Sequence, residues 1–178
     1  FRALRVINED RVAPAQGFAT HPHRDMEILT YVISGELSHK DSMGNGRVIK
    51  PGEVQGMSAG SGITHSEFNA SEKTPVHLLQ IWITPHTKNV TPAYGEWYPN
   101  GSEKQGWALA ASGTGEGGSI RIHQDARMVV AVSDAPKTLK SPLAPGRFGW
   151  LQVAVGAAEG GRHRVEIVAP EWAKVTLR

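Results

Sequence analysis

The sequence predicts an all-β fold, a sandwich or barrel built twice, on three observations. Short runs rich in Val, Ile, Leu and Thr recur along the chain, no segment sustains a helical period for three turns, and clusters of Gly, Pro, Asn and Asp separate the runs. Many short strands joined by regular turns close into sandwiches or barrels. In order, the expected strands are ALRVINE, EILTYVI, GELSHKD, RVIK, VHLLQIWITP, SIRIHQ, MVVAVS, GWLQVAV, RVEIVA and AKVTLR. Asn45-Gly46, between HKDSMG and RVIK, is the strongest hairpin signal, because both residues accept the positive φ of a type I′ turn. The stretch from Thr91 to Gln105 loses the strand pattern and gains Pro, Gly and polar residues, which puts a boundary near residue 103 and divides the chain into 1–102 and 103–178.

At 178 residues the chain can bury a core without covalent staples. It has no cysteine, which excludes disulfides, thiol catalysis and iron–sulfur clusters, so any metal is held by nitrogen and oxygen. A cysteine-free chain suits a reducing, cytoplasmic setting. The formal charge is only +2, with Lys and Arg scattered rather than gathered in a stripe, so nucleic acid is not an expected partner. No apolar run approaches the roughly twenty residues of a membrane span, and no signal segment opens the chain.

The chemistry concentrates in His21-Pro22-His23 and His65-Ser66-Glu67. Residues two apart on a strand point to the same face, so each triplet presents two metal donors to one ion, and two such strands side by side complete a site of three imidazoles and a carboxylate. Eight histidines in 178 residues supply about 0.4 HxH pairs by chance, so the pair needs its context. Spacing alone leaves the carboxylate open, since Glu27 shares strand parity with His23. Imidazole donors do not choose sharply among Fe, Mn, Co, Ni, Cu and Zn. The second half contains neither triplet and is expected to hold no metal.

Other polar residues have plainer readings. Arg24 and Asp25 are partners of the site or a solvated pair; His39 and Asp41 share parity as an inward or an exposed pair. Asn69 supports the site or, more simply, closes a turn, His77 is a satisfied core or pocket histidine, and His86, His123 and His163 are structural. Gly56-Met57-Ser58-Ala59-Gly60 matches a nucleophile elbow but leads into a strand, not a helix, and Gly113 to Gly118 matches a dinucleotide loop but is followed by the alternating SIRIHQ. Neither is expected to carry chemistry. Asn69, Asn89 and Asn100 open glycosylation triplets that matter only in a secreted protein.

The surroundings of the two triplets narrow the reading. Glu27 and Gly35 follow His23, Pro51-Gly52 precedes His65 and Asn69 follows it, which resembles the paired cupin motifs. More closely, GFATHPHRDMEILTYVISGELSHKDSMGNG, KPGEVQGMSAGSGITHSEFN and LLQIWI resemble the pirin family, in particular bacterial members described as quercetin 2,3-dioxygenases. The strong resemblance covers residues 1–99, and a weaker one continues through SIRIHQDARM. It implies two cupin-like β-barrels, a bicupin, with a metal only in the first. It implies His21, His23, His65 and Glu67 as ligands and iron(II) as the favoured ion, which leaves Glu27 either beside the ligands or paired within the core. The implied reaction opens a flavonol ring with O₂ and releases carbon monoxide, with Glu67 as proton acceptor and Met26, Phe18, Phe68 and Trp82 as candidate walls of a slot for the planar rings. The same resemblance implies an alternative, a metal-tuned surface for a protein partner, as described for pirin acting as a transcriptional cofactor. The chain opens at Phe1 rather than Met, and the resemblance leads us to expect a stretch before it that covers a barrel edge, and a longer second half.

Overall fold

The computed structural model describes residues 1–141 and 143–156, and beyond them the backbone of 158–161, 164–167 and 176–177. Nine strands form the first unit: β1 (Leu4–Val12), β2 (Gly17–His23), β3 (Glu27–Ser34), β4 (Leu37–Asp41), β5 (Gly46–Ile49), β6 (Val54–Ser58), β7 (Ile63–Asn69), β8 (Val76–Ile83) and β9 (Ala93–Trp97). They make two sheets, one in the order β1-β8-β3-β6-β9 and the other β2-β7-β4-β5, with antiparallel pairing throughout. After a single helical turn, α1 (Ser102–Gln105), come β10 (Ala108–Ser112), β11 (Ile120–Arg121), β12 (Arg127–Val130), β13 (Lys137–Lys140), β14 (Trp150–Leu151), β15 (Ala158–Gly161), β16 (Arg164–Ile167) and β17 (Thr176–Leu177), in sheets β11-β10-β12-β17-β14 and β13-β16-β15. The chain is all-β, with two cupin-like units.

The strand alternation decides what each face buries. On β3, Ile28, Thr30 and Val32 point into the first barrel while Glu27, Leu29 and Tyr31 point to the second unit, and all six are buried because both faces are covered. On β8 the inward set is Val76, Leu78, Gln80 and Trp82, and the outward set is His77, Leu79, Ile81 and Ile83. The outward residues Leu29, Tyr31, Val54, Leu79, Ile81 and Trp97 pack with Ala110, Ile120, Met128 and Val130 of the second unit in the largest core cluster. Gly56 keeps this junction tight, since a Cβ there would lie 2.6 Å from Ile120 and 2.9 Å from Leu29. Inside the first barrel one apolar cluster holds Val32, Leu37, Ile49, Val76 and Leu78, and another holds Ile28, Met57, Ala59 and Ile63 with Met26 and Trp82 against it. Polar residues occupy the space between them.

Several expectations change. The segment after Thr91 contains a strand, β9, because its partner β6 supplies the pairing that the Gly- and Pro-rich sequence does not advertise. The β4–β5 hairpin exists, but Asn45-Gly46 is not its type I′ turn. Lys40 pairs with Gly46, the positive φ falls on Gly44 at 93°, and the Asp41 carboxylate organises the loop by accepting from the backbone N–H of Met43 and of Asn45. The strands β10 and β13 lie in stretches without a β-rich run, and SIRIHQ contributes only two strand residues. His163 and parts of RVEIVA and AKVTLR lie outside the described residues.

Candidate metal centre

Strand β2 pairs with β7 so that His21 stands opposite His65 and Phe18 opposite Glu67, with a register shift between. The close approach of these strands at Gly17 is compulsory for a residue without a side chain, because a Cβ there would fall 2.2 Å from the Glu67 carbonyl and 2.5 Å from the Phe68 Cα. The result is a cluster in which the donor atoms of His21, His23 and His65 lie within 4.8 Å of one another. The Nε2 atoms of His21 and His65 are 3.0 Å apart. Ring centroids are separated by 4.8 Å for His21–His23, 4.4 Å for His21–His65 and 4.9 Å for His23–His65. His21 Nδ1 donates to the Ala19 carbonyl at 2.7 Å, and because a carbonyl only accepts, Nδ1 carries a proton and Nε2 is the nitrogen left to meet a metal. Trp82 meets His23 edge-on at 5.1 Å.

His65 is buried, whereas His21 and His23 are half-buried on the solvent side. Burial first, and then the neighbouring His21 charge, lower the His23 pKa to about 4; burial and the charges of His21, His23 and His39 lower His65 to about 3, against an opposing pull from Asp41. Both rings are neutral at pH 7, the state a metal ligand requires.

Glu67 faces inward, 1% exposed, and it forms a second group with His39 and His65, their donor atoms again within 4.8 Å. Three residues abreast on the facing sheet hold its carboxylate. Thr30 pairs with Gln55 on one side and Gln80 on the other. Gln55 Nε2 donates to Oε1 at 2.8 Å, Gln80 Nε2 donates to Oε2 at 2.7 Å, and the Thr30 hydroxyl reaches Oε1 at 3.5 Å. Burial nevertheless dominates and, despite those hydrogen bonds, raises the Glu67 pKa to about 7. The sequence reading missed Gln55, Gln80 and Thr30. Their signal was there, as polar residues at inward parity between apolar ones, such as Leu78-x-Gln80-x-Trp82.

Glu27, the other carboxylate that spacing permits, lies on the opposite face of β3. Its Oε2 accepts from the Ser58 hydroxyl at 2.5 Å, and Oε1 lies 3.5 Å from His123 Nδ1 of the second unit. Strand parity thus turns it away from the imidazoles, and Ser58 and His123 become its partners. Ser58 ends a strand, not an elbow. His39 and Asp41 form the inward pair, both side chains 0% exposed and 3.5 Å apart, while His77 is satisfied by Glu9 at 2.8 Å. Arg24 donates to the Asn89 side chain and Asp25 accepts from the Asn89 backbone, a clamp between loops. Asn69 ties its turn through Val12, Thr74 and Ser71. Phe68 leaves the list of slot walls, because it alternates with Glu67 and faces solvent, 41% exposed. A shallow groove of about 470 Å³ runs past His23, Arg24, Ser61 and Thr64. Another cavity, about 300 Å³ between Leu4, Ile83, Gln124 and Phe148, contains none of the cluster residues. Among the described residues both metal-capable groups are in the first unit, and no helix is long and apolar enough to cross a membrane.

The donor set fits a divalent ion: two imidazole nitrogens each held at about 2.1 Å and at right angles would be about 3.0 Å apart, as His21 and His65 are. The chain is similar to several known proteins. A quercetin 2,3-dioxygenase of Escherichia coli is 44% identical over 156 residues, covering 88% of this chain and 67% of that protein. The solved structure of YhhW from Escherichia coli superposes with a TM-score of 0.89 at 39% identity, over 99% of this chain and 81% of that one. The structure of bacterial pirin YhhW in complex with nickel(II) gives 0.87 at 38%, over 99% and 82%. The chain thus spans about two thirds of the length of its curated relative. Residues 2–83 match Pirin and residues 109–166 match the Quercetinase C-terminal cupin domain, and with these relatives the chain belongs to the pirin family.

Proposed function

We propose that the chain is a metal-dependent dioxygenase that opens the ring of quercetin-like flavonols with O₂ and releases carbon monoxide. The observation that carries this reading is the convergence of the donor atoms of His21, His23 and His65, with the buried Glu67 carboxylate in an adjoining group that shares His65. In it His21, His23, His65 and Glu67 hold the ion, iron(II) by preference, and the nickel-bound relative supports a site open to other divalent metals. A divalent ion held there supplies positive charge and open positions, which acidify a flavonol 3-hydroxyl and bring the substrate beside O₂.

The chain's own residues do the rest. Glu67 takes the hydroxyl proton on a carboxylate oxygen. Gln55 and Gln80 keep the carboxylate in place during the transfer. Trp82, edge-on to His23 with Met26 in the same apolar cluster, offers apolar surface to planar rings. The apolar cluster around Leu37 and Leu78 seals the far end of the barrel against water. The same reading divides the chain at 102/103 and sets it in the cytoplasm.

The test is oxygen-dependent loss of quercetin absorbance with iron-, nickel- and cobalt-loaded protein, beside His65→Ala. We expect turnover in the parent and none in the variant. Parent protein that holds its ion and leaves quercetin intact sinks the flavonol reading, and shifts attention to a protein partner.

A further inference from the structure

We infer that Asp41 and His39 form a relay that fixes the ring of His65 with its Nε2 lone pair toward His21 and His23, which makes both of them positioning residues for the metal centre. The inference rests on the metal reading above. It goes beyond the four ligands to explain how the neighbouring strand β4, at the mouth of its hairpin, sets the state of one of them.

His39 stands between the two groups it connects. Its Nδ1 is 3.5 Å from His65 Nδ1, its Nε2 is 3.5 Å from Asp41 Oδ2, and its ring stacks on Tyr94 at 5.2 Å with 26° between planes. Buried polar atoms need partners, and His39 Nε2 has no hydrogen bond of good geometry, so the Asp41 carboxylate is the charge it answers to. Proton positions then follow in sequence. Gln55 Nε2 donates to Glu67 Oε1 and its nitrogen also lies 3.4 Å from His39 Nδ1. An amide nitrogen only donates, so His39 Nδ1 is a lone pair and the single proton of the neutral ring is on Nε2, facing Asp41.

The same lone pair faces His65 Nδ1, which is therefore matched as a donor, leaving Nε2 of His65 unprotonated. His21 reaches that state by a different route, through the Ala19 carbonyl. In the neutral form that a metal ligand requires, both rings turn Nε2 lone pairs toward each other across 3.0 Å, an arrangement that a cation between them satisfies. Asp41 is itself held as a pure acceptor by the backbone N–H groups of Met43 and Asn45 and by Asn45 Nδ2, at 2.8 to 3.0 Å. The 3.5 Å contacts are at the long end of the hydrogen-bonding range, so the relay acts by choosing a tautomer and an orientation rather than by adding strong bonds.

The experiment reads the tautomer and the affinity separately. Long-range proton–nitrogen NMR of metal-free and zinc(II)-loaded protein reports whether His65 Nδ1 carries the proton. Nickel(II) affinity, by chelator competition, is compared in the parent, His39→Phe and His39→Gln, with melting temperature as the control for folding. We expect a protonated His65 Nδ1 in the parent and a 10- to 100-fold loss of nickel affinity in His39→Phe. His39→Gln, whose side-chain oxygen can accept from His65 Nδ1, should recover most of it. A bare His65 Nδ1 in the zinc-loaded parent, or His39→Phe binding nickel as tightly as the parent, overturns the relay and leaves the metal centre standing. A parent that takes up neither ion overturns the metal reading and the relay with it.

Discussion

The sheet β1-β8-β3-β6-β9 presents two faces of opposite character to two neighbours. Its outward face, through Leu29, Tyr31, Leu79 and Ile81, meets the second unit with apolar side chains, and the one buried carboxylate there, Glu27, is answered by Ser58 and His123. Its inward face carries Thr30, Gln55 and Gln80 in a row between two apolar clusters, and that row exists to hold Glu67 on the opposite sheet. One face joins the halves and the other prepares a site. Strand alternation lets the same eight residues of β8 do both.

The separation can be broken or sharpened by substitutions on either face. Leu79→Ala on the outward side should cost about 2 to 5 kcal/mol in urea unfolding while nickel affinity of the folded protein stays within about twofold. Gly56→Ala, which pushes a methyl group against Ile120 and Leu29, should cost about 1 to 3 kcal/mol by the same measurement, again with the site unaffected. On the inward side the pattern should invert. Gln80→Leu removes the donor to Glu67 Oε2, and nickel affinity should fall about 10-fold or more by competition titration, with an unfolding cost near 1 to 2 kcal/mol. If Leu79→Ala weakens nickel as much as Gln80→Leu does, the two faces are not independent.

The smallest effect is a pH dependence of the metal-free protein. The Glu67 pKa is raised from 4.5 to about 7, so its contribution to stability is complete below 4.5 and is lost as pH rises through 7. His23 and His65 are lowered from 6.5 to about 4 and about 3, so theirs is complete above 6.5 and is lost as pH falls through those values. Between pH 6 and 8 the parent should therefore lose on the order of 1 kcal/mol relative to Glu67→Gln, read as the difference between two unfolding curves. A parallel pair of curves would mean that Glu67 is already ionised in the metal-free barrel.

The sequence announced the fold class and the two metal-binding triplets because both are written in strand alternation, a purely local signal. It also announced that His39 and Asp41 share a face, but not which face, since that depends on the sheet packed against β4. Glu27 shows the same limit from the other side. Its parity with His23 is real along the chain, yet its strand lies in a different sheet, where the same parity means the opposite direction. The strand at Ala93–Trp97 was illegible because its stability comes from β6, about 40 residues away, rather than from its own propensities. Gln55 and Gln80 were legible in principle, as breaks in an apolar alternation.

The outward face of the sheet also sets a condition on how the protein is made. Val130, which helps cover Leu29, is synthesised roughly 100 residues after it, a delay on the order of 5 to 20 seconds at ordinary elongation rates. Through that interval the first barrel can close around its polar row, yet it carries an unsheltered sheet of Leu, Ile, Tyr and Trp on the nascent chain. Adhesion between growing chains, not instability of the finished protein, is the hazard this architecture creates.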